Sequence, residues 1–573
     1  MRLQSATALQ ALALSSTAIA KPIFGRAQNE TKIYDFAQLE SSPELKWTPC
    51  FEDFTCARLE VPLDYEDLDV GTTDIAFIKW TSNSTNASSA HDILLNPGGP
   101  GGSGVQFLRS SLNDMLLTLG FDNNLVGFDP RGVNNSGPDL SCFPGQTGTA
   151  RLYDDDFNTA VDINSSSTIT DAFARAGAFG EWCTQAHSGP NDTAKYANTV
   201  ATATDMLHYT ELAAEARGES AEDAELWYYG ASYGTILGST AAALFPDRIG
   251  RMILDGVVDA EDYYLGAWSN NLVDGDAAIS TFFKYCHEGG NTSCAFWDES
   301  PEAIEERFNA VIEDVRQNPI TVSDPTFVKK PTIITTRDLH SALTTVPYQP
   351  LILFPILGLV MSHLEQRNGT VLAQFLGSAA PQDQCENPPT FEVSDVEPRY
   401  FIACNDANGR YNLSTVEKFT EQVEQQFELS KYMGESWAAG TSINCRKLEV
   451  FAPDSQVFEG VPSANKTSNP ILFVGNTYDP VTPLTHAKSM SKRFAGSGVL
   501  QQDSVGHCTL AAPSKCTWKV TQKYILDATL PAEGTVCEPD EVPFEKPLGS
   551  ILGSADTKIL KKRHHIQAGK MGW

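Results

Sequence analysis

Positive charge is scarce in this 573-residue chain: 41 Lys and Arg stand against 72 Asp and Glu, a formal net charge of −31. Such a surface repels phosphate backbones and anionic lipid, so nucleic acid is excluded as a partner and solubility is favoured. No Cys-x-x-Cys and no tight Cys/His cluster occurs, so no metal site is expected. The glycine-rich stretch Gly98–Gly104 lacks the Gly-Lys-Ser/Thr ending of a phosphate-cradling loop, which disfavours nucleotide binding. Leu351–Met361, the most apolar internal run, is too short to span a bilayer. It reads as buried core, or secondarily as the lining of a channel. No internal repeat or low-complexity block is present, and stable membrane insertion is not expected.

With 41% hydrophobic and 20% charged residues, the chain is globular and able to bury a large core. Met1–Ala20 combines Arg2, an Ala/Leu-rich stretch and the small-x-small site Ala18-Ile19-Ala20, as a secretory signal does. Twelve cysteines, an even number, point to disulfides in an oxidising compartment. Cys50/Cys56, Cys286/Cys294 and Cys508/Cys516 are close enough in sequence for local bridges; the connectivity of the other six is open. Ten Asn-x-Ser/Thr sequons (Asn29, Asn83, Asn86, Asn134, Asn164, Asn191, Asn291, Asn368, Asn412, Asn465) predict N-glycans. Asn134 is the least suited, because it should lie near the site. The expectation is a secreted, extracellular glycoprotein of eukaryotic source.

Chemistry is signalled first by Gly230-Ala231-Ser232-Tyr233-Gly234, the one Gly-x-Ser-x-Gly in the chain. It follows the β-prone run Leu226–Tyr229 and precedes a small-residue helical stretch, the setting of a nucleophile elbow. The glycines let strand and helix pass close to a sharply turned serine. A base and an orienting acid should follow in the order Ser, Asp/Glu, His. Asp479 lies on the loop leaving the apolar run Pro470–Gly475, and His507 follows the strand-like Gly498–Gln502. Asp255 and Asp259 are competing acids. Only the neutral His507 imidazole can act as base, so activity should fall in acid. For the tetrahedral oxyanion, one donor is expected from Gly99 N–H and the other from Tyr233 N–H. No cofactor is needed.

Asn96-Pro97-Gly98-Gly99-Pro100-Gly101, Gly127-Phe128-Asp129-Pro130-Arg131-Gly132, the Ser232 elbow, and Asn476–Pro483 with Gly506-His507 stand in a family's order. From about Trp47 to Phe544 the chain resembles the secreted α/β-hydrolases of the tripeptidyl- and prolyl-aminopeptidase group, with their TAP-like C-terminal segment. A fungal source rests on that resemblance alone. It implies the α/β-hydrolase fold, a mostly parallel sheet with helices on both faces, and Ser232, Asp479 and His507 as triad. It also implies an exopeptidase acting at peptide N-termini, or a carboxylesterase, with a peptide or ester substrate. Asn96 stands where prolyl aminopeptidases usually carry His, and Asn134 where the family usually has Gly. Asp129 and Arg131 read as partners that pin their loop.

Strand-like runs alternate with helical ones over 45–262, and core motifs resume over 470–545. Between them, 263–469 is helical in pattern, as an inserted lid would be. Residues 1–20 are the signal, 21–44 a polar lead-in and 546–573 a basic flexible tail. An aminopeptidase needs a carboxylate without a fixed cationic partner to neutralise the substrate ammonium. Asp406 is the lid candidate, from a resembling motif. A non-catalytic binding protein on the same fold is the third reading, disfavoured because every triad member is present.

Overall fold

The computed structural model describes residues 32–83, 90–146, 149–150, 159–378 and 396–546. The signal segment, nearly all of the basic tail, Asn29, Asn86 and Cys385 lie outside these. The strands are β1 (Thr48–Cys50), β2 (Phe54–Pro62), β3 (Thr72–Trp80), β4 (Asp92–Asn96), β5 (Asn124–Phe128), β6 (Leu226–Ala231), β7 (Ile249–Asp255), β8 (Ile320–Val322), β9 (Thr332–Ile334), β10 (Leu472–Tyr478), β11 (Gly498–Val505) and β12 (Val536–Cys537). Ten of them form one sheet in the order β1-β2-β3-β5-β4-β6-β7-β10-β11-β12. The β1–β2, β2–β3 and β3–β5 pairs are antiparallel; from β5 onward every pairing is parallel. Every residue of β6 is buried, as an unbroken apolar run in a doubly covered parallel sheet should be.

The helices used below are α1 (Gly104–Leu119), α2 (Ser166–Ala186), α3 (Thr199–Ala216), α4 (Gly234–Leu244), α5 (Ala260–Leu265), α6 (Gly275–Gly289), α7 (Pro301–Gln317), α8 (Thr336–Thr345), α9 (Pro350–Glu365), α10 (Val396–Ala407), α11 (Val416–Leu429), α12 (Gly434–Gly440), α13 (Leu484–Ser491) and α14 (Lys515–Asp527). α1 and α14 cover one face of the sheet through Val105, Leu108, Met115, Tyr524 and Ile525. α3, α4 and α13 cover the other through Met206, Tyr209, Ile236, Leu237 and Met490. β4 has β5 on one side and β6 on the other, so the connections out of it diverge. A crevice opens where strand order reverses in this way, at the carboxyl ends of the strands.

Between β7 and β10, helices α6 to α9 and α12 bury a core of their own around Phe282, Phe308, Phe354, Leu357, Met361 and Trp437, while Tyr263 and Tyr264 of α5 pack into the core on the sheet face. Leu351–Met361 lies in α9 and supplies that core, as its composition predicts. The β8–β9 pair interrupts the helical pattern with two short strands that periodicity did not anticipate. α2, which precedes α3 in the chain, packs on this layer and not on the sheet: Phe179 and Cys183 meet Tyr400 and Phe401, and Ile169 and Ala176 meet Phe419 and Val423.

Cys50–Cys56 and Cys286–Cys294 are bonded as expected, and Cys142–Cys183 and Cys404–Cys445 join them. The expected Cys508–Cys516 bridge does not form. Cys516 pairs with Cys537, tying α14 to β12, while Cys508 is a buried free thiol. Its backbone has φ +61, which turns Sγ inward to 3.5 Å from Asp255 O and away from α14.

Candidate active site

Ser232 sits between β6 and α4 with φ +56, a left-handed conformation that a non-glycine residue holds only when its surroundings enforce it. Its N–H donates to Asp255 O (2.9 Å), and its carbonyl accepts from Thr235 N (2.8 Å) and Oγ1 (2.7 Å). Glycine at 230 is obligatory, because a Cβ there would lie 2.3 Å from Gly234 O. These are the constraints of a nucleophile elbow.

The loop after β4 folds onto this turn. Asn96, fully buried, accepts from Gly98 N (2.9 Å), and Gly102 N–H closes on Gly98 O (3.0 Å). Gly98 has φ +103, and a Cβ on it would come within 2.7 Å of Ser232 Cβ. Gly99 to Gly104 also spells Gly-x-Gly-x-x-Gly, a dinucleotide-type spacing. The closure onto Ser232 separates this loop from a phosphate site. Neither Gly99 N–H nor Tyr233 N–H donates to an acceptor among the described residues. Both residues line one narrow hollow with Ser232.

Asp479 and His507 meet as their loops predict. His507 Nδ1 lies 3.0 and 3.1 Å from the two Asp479 carboxylate oxygens, and the acid is fully buried. Val481 N, Thr482 N and Cys508 N also donate to Asp479. Burial raises the Asp479 carboxyl, but the His507 charge and hydrogen bond and the Cys508 and Thr482 N–H groups outweigh it, leaving it below the usual range. With the Nδ1 proton held by Asp479, Nε2 is the basic nitrogen. It is buried and has no hydrogen-bond partner among the described residues, Ser232 Oγ included. Tyr348 holds His507 from the inserted helical layer: its carbonyl accepts from His507 N (3.1 Å), and its ring meets the imidazole edge-on at 4.8 Å.

The competing acids are engaged elsewhere. Asp255 accepts from Thr509 N, Thr509 Oγ1 and Tyr229 OH, and burial keeps its carboxyl raised. Asp259 caps α5 through Glu261 N and holds Asn270. Asp479, His507 and Cys508 offer three donors within 4.8 Å of one another. That set does not fit a metal ion: acid and imidazole already bond each other, and burial holds the thiol well above its ordinary value, hence protonated.

Asp129 and Arg131 pin their loop. Asp129 accepts from Ser103, Val105, Asn134 and Asn135, and Arg131 forks onto Asp205 at 2.7 and 2.8 Å. Asn134 takes the left-handed turn (φ +47) that glycine would, and its amide is held by Ser103 and Asp129. Asp406 does not line the hollow around Ser232. Its oxygens accept from Thr199 N, Thr199 Oγ1 and Tyr263 OH, and Thr199 Oγ1 contacts Tyr233 OH at 2.7 Å. It is a buried carboxylate linked to Tyr233 through Thr199.

Residues 93–290 match the family described as alpha/beta hydrolase fold. The chain has the α/β-hydrolase fold. Residues 430–537 of this hydrolase match the family described as TAP-like protein. Serine protease Hip1 of Mycobacterium tuberculosis is 24% identical over 554 residues, covering 92% of this chain and 96% of that protein. Tripeptidyl aminopeptidase of Streptomyces lividans is 23% identical over 513 residues, 87% of each. Carboxylesterase B of M. tuberculosis is 23% identical over 524 residues, covering 87% of this chain and 91% of that protein. These likenesses support a serine hydrolase or peptidase.

Sequence reasoning missed the rest of the hollow. Val258, Trp268, Asn271, Trp437, Val481 and Thr482 complete the hollow. Trp268 and Trp437 come from lid segments far apart in the chain, and no motif or spacing announces them.

Proposed function

We propose that the protein is a secreted exopeptidase that releases residues or short peptides from peptide N-termini through an acyl-enzyme. Ser232 Oγ attacks the scissile carbonyl and His507 Nε2 accepts its proton, while Asp479 holds the imidazole and offsets the charge it gains. Gly99 and Tyr233 N–H groups receive the oxyanion. His507 then returns the proton to the leaving amine, and a water repeats the cycle on the acyl-enzyme. The observation that carries this reading is the meeting of Ser232 with two N–H groups that have no acceptor among the described residues, in one hollow.

Export is supported by the five disulfides among the described residues, and no helix there is long and apolar enough to cross a membrane. The peptidase reading needs an anchor for the substrate ammonium, and Asp274 fits it. It heads α6 just beyond Asn271 of the hollow, half-buried, and makes no cap hydrogen bond to its own helix. Burial pushes its carboxyl up, and the nearby Asp479 adds to this. A bound ammonium would relieve both effects.

The test compares free-amine with N-acetylated chromogenic peptides and with p-nitrophenyl esters. Free-amine peptides should be preferred, and Asp274→Asn should reduce that preference about tenfold or more. Ser232→Ala should lower kcat by roughly 10⁶ and abolish fluorophosphonate labelling. A wild-type enzyme that prefers blocked peptides or esters is a carboxylesterase, the reading that the apolar hollow favours second.

A further inference from the structure

Asn476 stands three residues before Asp479, near the carboxyl end of β10, and is fully buried. The register between β10 and β11 shifts between Asn476 and Tyr478, an irregularity of the kind that re-aims a side chain beside a site. Here the side chain is aimed at the loop that carries the base. Asn476 Nδ2 donates to Gly506 O (2.8 Å) and to Cys508 O (2.7 Å), the carbonyls of the two residues that flank His507.

Both flanking residues hold uncommon backbone, with φ +123 at Gly506 and +61 at Cys508. The N–H groups of this loop go three separate ways: Gly506 to Tyr478 O, His507 to Tyr348 O and Cys508 to Asp479 Oδ2. The two carbonyls instead converge on one amide. Ala511 N shares Cys508 O, whereas Gly506 O has no other donor among the described residues. A carboxamide is the short neutral side chain that carries two donors on one atom. Its other end is idle: Asn476 Oδ1 is buried with no hydrogen-bond partner among the described residues. Buried polar atoms are ordinarily paired, so an asparagine kept for packing alone is a poor account of this position.

We propose that Asn476 is a positioning residue of the reaction, fixing where the imidazole stands between Asp479 and Ser232 by holding both carbonyls beside His507. This rests on the serine-hydrolase reading and adds a residue to its machinery. Without the amide the loop keeps its N–H contacts, but the ring is free to pivot about them. A displacement of about 1 Å costs roughly 10²-fold in rate. Asn476 does not line the hollow, so substrate binding is left as it was.

Two variants test this, with p-nitrophenyl acetate hydrolysis and fluorophosphonate labelling as readouts and the melting temperature reporting the fold. Asn476→Leu fills a similar volume and removes both donors; Asn476→Thr keeps one. The leucine protein should lose about 30-fold or more in kcat with KM within about threefold of wild type. Its labelling should slow in parallel yet reach the wild-type end point. The threonine protein should fall between, and it carries the same readouts if the leucine protein does not fold. A folded leucine protein with wild-type kcat, or with only KM changed, overturns the proposal. So does labelling at the wild-type rate to a lower end point, which marks a partly unfolded population, and so does failure of both variants to fold. A wild-type protein that neither labels nor hydrolyses the ester overturns the serine-hydrolase reading itself, and the positioning role with it.

Discussion

Asp406 shows how one carboxyl can carry a stability signature without touching substrate. Burial raises its pKa from 3.8 to about 6, and the hydrogen bonds from Thr199 and Tyr263 only partly offset this. Between those values the folded chain keeps a proton that the unfolded chain releases, so stability falls as pH rises through the interval. The full effect is about 3 kcal/mol. Asp406→Asn has no such proton to lose. Denaturant titrations near pH 4 and pH 7.5 should therefore show the variant gaining on the wild type by up to that amount as pH rises. A difference that does not move with pH would mean that the carboxyl is ionised throughout.

The element that decides the site is the turn joining β4 to α1. Gly98 brings it against Ser232, with 2.7 Å separating the position of an added Cβ from Ser232 Cβ and 2.6 Å separating it from Ala231 O. Gly98→Ala must push the loop off the elbow and carry Gly99 N–H with it. Loss of one oxyanion donor lowers kcat by about 10²–10³. We expect a fall of that size, a lower melting temperature, and slowed fluorophosphonate labelling. Wild-type kcat in Gly98→Ala would remove Gly99 from the oxyanion role.

At the scale of the whole molecule, the inserted helical layer and the sheet are joined through the loops that bear Asp479 and His507. Val481 beside Asp479 and Val505 beside His507 belong to the lid core, together with Phe282, Phe354 and Trp437. The lid residue Tyr348 also takes the His507 N–H. Loosening the lid should therefore release the base before the sheet melts. In a urea titration, activity and the near-ultraviolet signal of the lid aromatics should be lost together, ahead of or along with the far-ultraviolet signal. Activity that outlasts the lid signal would refute this coupling.

Much of the sheet was legible because apolar runs such as Leu226–Tyr229 and Leu472–Val474 are bounded by turn residues, and these are local properties. The same holds for the elbow, for the glycine loop and for the loops bearing Asp479 and His507. The surroundings of Asp406 were not legible, since its partners Thr199 and Tyr263 lie 207 and 143 residues away. Cys508 was mispaired, since backbone direction and not sequence distance aims a thiol. Chain order and local turn chemistry thus set which groups stand at the sheet's edge. The way the lid lies across it, through contacts between distant segments, decided which side chains face them.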